Sequence, residues 1–367
     1  MPAVNVLIKP ASSMCNMHCD YCFYCDEAVN RKQSSYGYMS RETADNVIRK
    51  TLAFAEGACA FAFQGGEPTL CGVDFYRYFT GQVKKYNTKG LKVSYALQTN
   101  GLILDEEWCQ FFAENHFLLG VSVDGIQSVH DRYRHYKNGN TYERILANTR
   151  LLNQYHVDYN ILTVVHKASA AAVKEIYWNY RENGWKYLQF IACLDPLADE
   201  RGNQEYSLTP EIYAEFLNTL FDLWYKDLIL GREPYIRQFD NYIGILLGVE
   251  PESCEQRGMC AVQNVIEADG SVYPCDFYVL DDYYLGNLNK NEYLDIYLRR
   301  KSKGFIERSA KPHEECMKCK WGVLCRGGCF RNREKTQSLN YFCEAYKAFF
   351  EKNIHKMMNA ARIISQR

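Results

Sequence analysis

Cys15, Cys19 and Cys22 stand in the string CNMHCDYC, with three residues between the first two and two between the last two. Eight more cysteines, Cys254, Cys260, Cys275, Cys316, Cys319, Cys325, Cys329 and Cys343, crowd the last third of the chain. Thiolates in such numbers can hold iron–sulfur clusters. A group of three leaves one iron of a four-iron cluster open to bind and activate a small molecule. A group of four closes the cluster and suits it to moving electrons. The eleven cysteines divide as one open site and two closed ones. That division predicts a redox enzyme built around three clusters.

Two other uses of cysteine compete with this reading. A disulfide framework belongs to small exported domains, whereas this chain has 367 residues and no positive, apolar stretch resembling an export signal at its start. Zinc suits the Cys316/Cys319 pair, whose C-x2-C spacing is common in structural zinc sites. It does not suit the N-terminal triplet, which has no fourth Cys or His at ribbon spacing. Cys25 is the one residue near enough to complete that triplet and is read as a spare. Cys59, Cys71, Cys109 and Cys193 lie in or beside apolar segments and read as packing thiols.

The elements that must position these residues alternate. Strand-like runs cover residues 4–9, 60–64, 92–99, 117–123, 159–165 and 188–193, and amphipathic stretches cover 41–55, 74–86, 105–114, 142–155 and 170–183. Six alternations predict an α/β fold with a parallel sheet, open or as a partial (β/α)6 TIM-type barrel. The chemistry-bearing residues follow strands, where barrel loops converge. Thr209–Pro210–Glu211 predicts a helix start with a cap, a first-turn proline and an acidic residue; this helix should reach about residue 226. From Cys254 the pattern turns to short pieces that can hardly build a core of their own. Asp269–Gly270 reads as a hairpin turn, and residues 341–364 as a final helix. The expected division is residues 1–235 for the barrel, 236–343 for a cluster domain and 344–367 for a C-terminal helix.

Composition narrows the partners. A net charge of −1 with 24% charged residues supports no nucleic-acid partner, and no apolar run approaches membrane-spanning length. The expected location is the cytosol.

The CNMHCDYC loop after the first strand, with Tyr21 just before the third cysteine, resembles the C-x3-C-x-aromatic-C loop of radical S-adenosylmethionine enzymes. The resemblance implies that Cys15, Cys19 and Cys22 hold a [4Fe–4S] cluster and that S-adenosylmethionine binds its open iron. Gln64–Gly65–Gly66–Glu67–Pro68 after the second strand is, on its face, a glycine-rich turn ended by proline. It resembles that family's GGEP motif, which implies that Gly65, Gly66 and Glu67 meet the cofactor's methionyl amine. Ser122 at the end of the fourth strand, Arg134 in the next loop and Leu194 after the sixth are implied to meet its carboxylate, ribose and adenine.

The C-terminal spacing resembles the SPASM extension: Cys260, then Cys275 with Gly270 five before it, then C-x2-C-x5-C-x3-C and a distal Cys343. The resemblance implies that Cys254, Cys260, Cys275 and Cys329 hold one auxiliary [4Fe–4S] cluster, and Cys316, Cys319, Cys325 and Cys343 the other. Asp276 alone would read as a surface carboxylate. The strings LIKPASS, CFY, FAFQGGEPTL, LQTNG, CLDP and DGSVYPCDFYVLD are similar to anaerobic sulfatase-maturating enzymes along essentially the whole chain. That likeness makes Asp276 the general base and brings Tyr24 and Gln64 close to the target side chain. The implied activity is oxidation of a Cys or Ser side chain in a Cys/Ser-x-Pro-x-Arg segment of an unfolded or nascent sulfatase to Cα-formylglycine. A one-electron donor such as ferredoxin or flavodoxin would drive it.

Two other functions compete with this one. A maturase that crosslinks another ribosomal peptide would use the same clusters, but such enzymes often carry a leader-binding winged-helix domain. The first strand opens at Val4, which reads as leaving no room for one. A zinc-stabilised binding module would lack the brown colour of iron–sulfur protein.

Overall fold

The computed structural model describes residues 3–137, 139–333 and 339–367. Its twelve strands are β1 (Val4–Ile8), β2 (His18–Cys19), β3 (Ala58–Phe63), β4 (Lys92–Thr99), β5 (Phe117–Ser122), β6 (Arg134–His135), β7 (Asp158–Val165), β8 (Tyr187–Ala192), β9 (Tyr235–Ile236), β10 (Asn264–Ile266), β11 (Ser271–Tyr273) and β12 (Gly286–Asn287). β1, β3, β4, β5, β7 and β8 lie side by side in that order, and each adjacent pair is parallel. These are the six strands expected from the alternation, within two residues at either end. The sheet is a partial (β/α)6 barrel that does not close, since β1 and β8 pair outward with β10 and β9.

The physical reason for each element is local. In β3, ACAFAF turns Phe61 and Phe63 to the helix side, where both pack edge-on against Phe79 at 5.2 and 5.0 Å between ring centres. The helix Arg41–Phe54 begins where the Ser40 side chain accepts from Thr43 N at 3.1 Å. Thr209 caps Pro210–Ile229 in the same way, from Ile212 N at 3.4 Å. That helix runs three residues past its expected end. The stretch expected as one helix over 170–183 is two, Lys167–Ala171 and Val173–Glu182, because the His166 cap and Ser169 start the chain turning earlier.

The C-terminal part leans on the barrel. Cys343–Ser365 lies along Pro210–Ile229, with Phe349 edge-on to Phe221 at 5.5 Å and Asn353 Nδ2 donating to Asn218 Oδ1 at 2.6 Å. The expected hairpin is β10–β11, antiparallel about the Asp269–Gly270 turn. Its first strand pairs parallel with β1, Val6 opposite Asn264 and Ile8 opposite Ile266. The cysteine-rich segment thus extends the barrel sheet and delivers residue 276 to the ends of β1 and β3. It also packs more than expected: Tyr278, Phe305 and Phe330 form an aromatic group with centres 5.0 to 6.0 Å apart. Among the described residues no helix is long and apolar enough to cross a membrane.

Candidate active site

The triplet loop is fastened from three sides at the strand ends. Glu67 N donates to Met14 O at 2.7 Å, Asn100 Nδ2 donates to Asn16 Oδ1 at 2.7 Å, and Asp20 N donates to Tyr133 O at 3.0 Å. The short β2–β6 ribbon sets Cys19 opposite Arg134. Burial pushes the Cys15 thiol up to about 11 and Cys19 up to about 12, and the charge of Cys22 adds to both. Cys22 moves the other way, to about 6, chiefly because the Cys25 thiol donates a hydrogen bond to it. Cys25 therefore sits against the triplet.

The eight distal cysteines gather into two neighbourhoods. After burial, Cys329 raises Cys275, Cys254 raises Cys329, and Cys260 raises Cys254, Cys275 and Cys329. In the second, Cys343, Cys316 and Cys319 raise Cys325, which burial has already pushed up to about 12. Among the described residues no three Cys, His, Asp or Glu side chains are placed around a single ion. Groups of soft thiolate donors, half-buried and mutually repelling when ionised, fit a multi-iron cluster that takes up their charge.

The residues implied to meet S-adenosylmethionine sit at strand ends and in the loops after them, in different states. Gly66 has φ +20°, and a Cβ there would come within 2.0 Å of Met14 O, so only glycine lets the two loops touch. Glu67 is 1% exposed, and both its oxygens are engaged: Oε1 accepts from Thr69 N, Thr69 Oγ1 and Thr99 Oγ1, and Oε2 from Asn100 N at 2.7 Å. It ties the loop after β3 to the loop after β4. Arg134 Nη1 donates to the Tyr21 hydroxyl at 3.0 Å and lies 3.8 Å from Asp124 Oδ2, to which Tyr21 also donates. Arg134 Nε is buried with no partner among the described residues, a donor still available to a ligand. Ser122 ends β5 half-buried, and Leu194 follows β8 with its carbonyl accepting from the Cys193 thiol at 3.7 Å.

The structure brings Asp276, Gln64 and Tyr24 together around Lys9. Gln64 Nε2 donates to Asp276 Oδ2 at 2.7 Å, and Lys9 Nζ lies 2.5 Å from Asp276 Oδ1. Tyr24 packs its ring 3.7 Å beneath Lys9 Nζ and turns its hydroxyl to Glu267, which also holds Arg31 at 2.7 Å. The Asp276 side chain keeps 14% of its surface exposed, so the carboxylate is partly desolvated yet reachable. Asn100, Glu267 and Lys9 were not singled out as site residues from the sequence. Asn100 stood inside the quoted LQTNG string, which was the available signal. A lysine in LIKPASS reads as solvated, and a lone glutamate carries no pattern.

Residues 10–177 match the Radical SAM superfamily, and residues 258–320 match the SPASM iron–sulfur cluster-binding domain. The chain is 46% identical over 372 aligned residues to the cysteine-type anaerobic sulfatase-maturating enzyme of Clostridium novyi, covering 100% of both chains. It is 29% identical to the serine-type anaerobic sulfatase-maturating enzyme of Bacteroides thetaiotaomicron, covering 94% of this chain and 88% of that one. A solved structure described as native anSMEcpe with bound AdoMet and Cp18Cys peptide superposes with a TM-score of 0.94 at 44% identity, over 99% of this chain and 100% of that one. Full-length likeness at this level, together with the two domains and the strand-end loops that carry the cysteines, establishes that the chain belongs to the anaerobic sulfatase-maturating enzymes of the radical SAM superfamily.

Proposed function

We propose that this chain oxidises a cysteine side chain in a sulfatase polypeptide to Cα-formylglycine, with serine as the poorer target. The observation that carries this reading is the cluster of Asp276, Gln64 and Tyr24 around Lys9, with the Asp276 carboxylate partly exposed, at the same strand ends as the Cys15, Cys19 and Cys22 loop. The cysteine preference is supported by the cysteine-type name of the 46% identical relative, against the serine-type name of the 29% identical one.

When bound, three [4Fe–4S] clusters and S-adenosylmethionine supply hydrogen-atom abstraction at the target Cβ and a sink for the electron released. Cys15, Cys19 and Cys22 would hold the first cluster. Cys254, Cys260, Cys275 and Cys329 would hold the second, and Cys316, Cys319, Cys325 and Cys343 the third. Gly65 and Gly66 would let backbone approach the cofactor, and Tyr21, Arg134, Ser122 and Leu194 would also contact it, Arg134 through its unpartnered Nε. Glu67 acts by holding the loops together. Asp276 accepts the target thiol's proton as the aldehyde precursor forms. Gln64 fixes one of its oxygens through the 2.7 Å hydrogen bond. Water then replaces sulfur to give the aldehyde. The reductant is a one-electron carrier of the ferredoxin or flavodoxin class. In this reading residues 1–235 form the catalytic barrel, 236–343 the auxiliary-cluster domain, and 344–367 the closing helix.

The test is mass spectrometry of a Cys-x-Pro-x-Arg peptide and its serine counterpart after anaerobic incubation with reconstituted enzyme, S-adenosylmethionine and dithionite. Loss of the sulfur atom from the cysteine peptide, with gain of a hydrazine-reactive aldehyde, is expected. 5′-Deoxyadenosine formed without any aldehyde from either peptide would contradict the reading.

A further inference from the structure

Lys9 follows β1 directly, and its backbone N–H donates to Ile266 O at 2.7 Å, continuing the pairing of β1 with β10. Its side chain is 0% exposed. The stem runs beneath the glycine turn after β3, where a Cβ at Gly65 would come within 2.7 Å of Lys9 Cγ. Gly65 has φ +95°, so the turn is bare at this point for two reasons, its backbone shape and the room that Lys9 needs. Beyond the turn, Nζ meets two groups: the face of Tyr24 at 3.7 Å and Asp276 Oδ1 at 2.5 Å.

The remaining charges around Lys9 leave Asp276 as its anionic partner. Glu27, on the helix Phe23–Val29, is 2% exposed, and neither carboxylate oxygen has a hydrogen-bond partner among the described residues. Burial, and after it the charge of Asp276, pushes its pKa well above the carboxylate range, and the ion pair that Lys9 makes is with Asp276. Arg31 is committed to Glu267. A buried ion pair gains little stability over apolar packing of the same volume, because two desolvation costs offset its attraction. Its presence beside the reactive carboxylate asks for a role beyond folding.

Geometry supplies that role. Asp276 opens a single turn, Asp276–Tyr278, with no cap to anchor it. Its two oxygens are held from two strand ends, Oδ1 by the charge of Lys9 after β1, in an ion pair without hydrogen-bond geometry, and Oδ2 by a hydrogen bond from Gln64 after β3. Two grips on different oxygens fix the plane of the carboxylate, whereas one would leave it free to swing. We propose that Lys9 is the positioning residue of the proton acceptor: its contact with Oδ1 sets the carboxylate so that its free edge faces the target side chain. This rests on Asp276 taking the substrate proton.

The experiment compares wild type, Lys9→Met, Asp276→Asn and the Lys9→Met/Asp276→Asn double variant as reconstituted holoenzymes. A Cys-x-Pro-x-Arg peptide is used, and 5′-deoxyadenosine and aldehyde peptide are counted in the same reaction. Lys9→Met should keep its iron, its cofactor cleavage and its KM for the peptide, while aldehyde formed per deoxyadenosine falls about 10²-fold, the size of effect that misplacement of a reacting group produces. In the double variant the yield should equal that of Asp276→Asn alone, because Lys9 acts through Asp276. If Lys9→Met fails to fold, the double variant still carries the test, since it leaves no buried charge unpaired. A wild-type yield in Lys9→Met, or a further loss in the double variant, overturns the proposal. A wild type that makes no aldehyde overturns the functional reading itself, and an Asp276→Asn variant of full yield removes the proton acceptor; each is distinct from failure at Lys9.

Discussion

The loop that holds Cys15, Cys19 and Cys22 and the segment that holds the other eight cysteines are positioned by different physics. The first is held by the sheet. Met14, Asn16 and Asp20 are hydrogen-bonded to residues at the ends of β3, β4 and the helix before β6, and Glu67 clamps two of those loops together. None of these hydrogen bonds uses a cysteine thiolate. The distal segment is built of short pieces such as Glu314–Lys318 and Gly322–Cys325, whose half-buried thiols repel when ionised. Cluster binding there is folding energy as well as redox capacity. The same ligand chemistry thus rests on a preformed scaffold at one end and helps to make its scaffold at the other.

Breaking each end separately sharpens the contrast. The largest effect on chemistry should follow Cys15→Ala/Cys19→Ala/Cys22→Ala. Cofactor cleavage should vanish and iron should fall by about four atoms per chain, while melting temperature and the two distal neighbourhoods stay close to wild type. Persistent deoxyadenosine formation would show that the triplet is not the cofactor-cleaving site. Cys275→Ala should act on fold and turnover together, costing on the order of 4 kcal/mol, the range reached when a metal site is lost. Hydrogen exchange should rise over residues 254–333 and little over β3 to β8. A uniform rise across the chain would erase the distinction between the two regions. Smaller but more local is Gly66→Ala. Its Cβ would meet Met14 O at 2.0 Å, a backbone clash that no rotamer relieves. The triplet loop should shift, cutting deoxyadenosine formation by about 10²-fold while the distal clusters keep their visible absorption. Wild-type cleavage would mean that the two loops separate at little cost.

The contrast also explains what was legible in the sequence. Strands such as β3 announced themselves because ACAFAF alternates large and small side chains, and loops following them carried motifs at fixed spacing. The pairing of β10 with β1 was not legible, because it joins residues 258 positions apart, Val6 with Asn264, and three-residue strands carry almost no local signal. Lys9 was invisible for a related reason. Only once that hairpin docks does Asp276 arrive beside it, and only then does a lysine at a strand end become a buried partner. Glu67 carries a second task that its motif did not announce: its carboxylate joins Thr69, Thr99 and Asn100.

Asp276, brought to the ends of β1 and β3 by a hairpin of the distal segment, is the proposed acceptor of the target side chain's proton. Asp276→Asn tests it most directly, because the shape is kept and the triplet loop is untouched. With deoxyadenosine and aldehyde-bearing peptide measured in one reaction, cofactor cleavage should continue while aldehyde formation drops by ~10²–10⁴-fold, the loss typical of a general base. Equal aldehyde rates in variant and wild type would contradict the account.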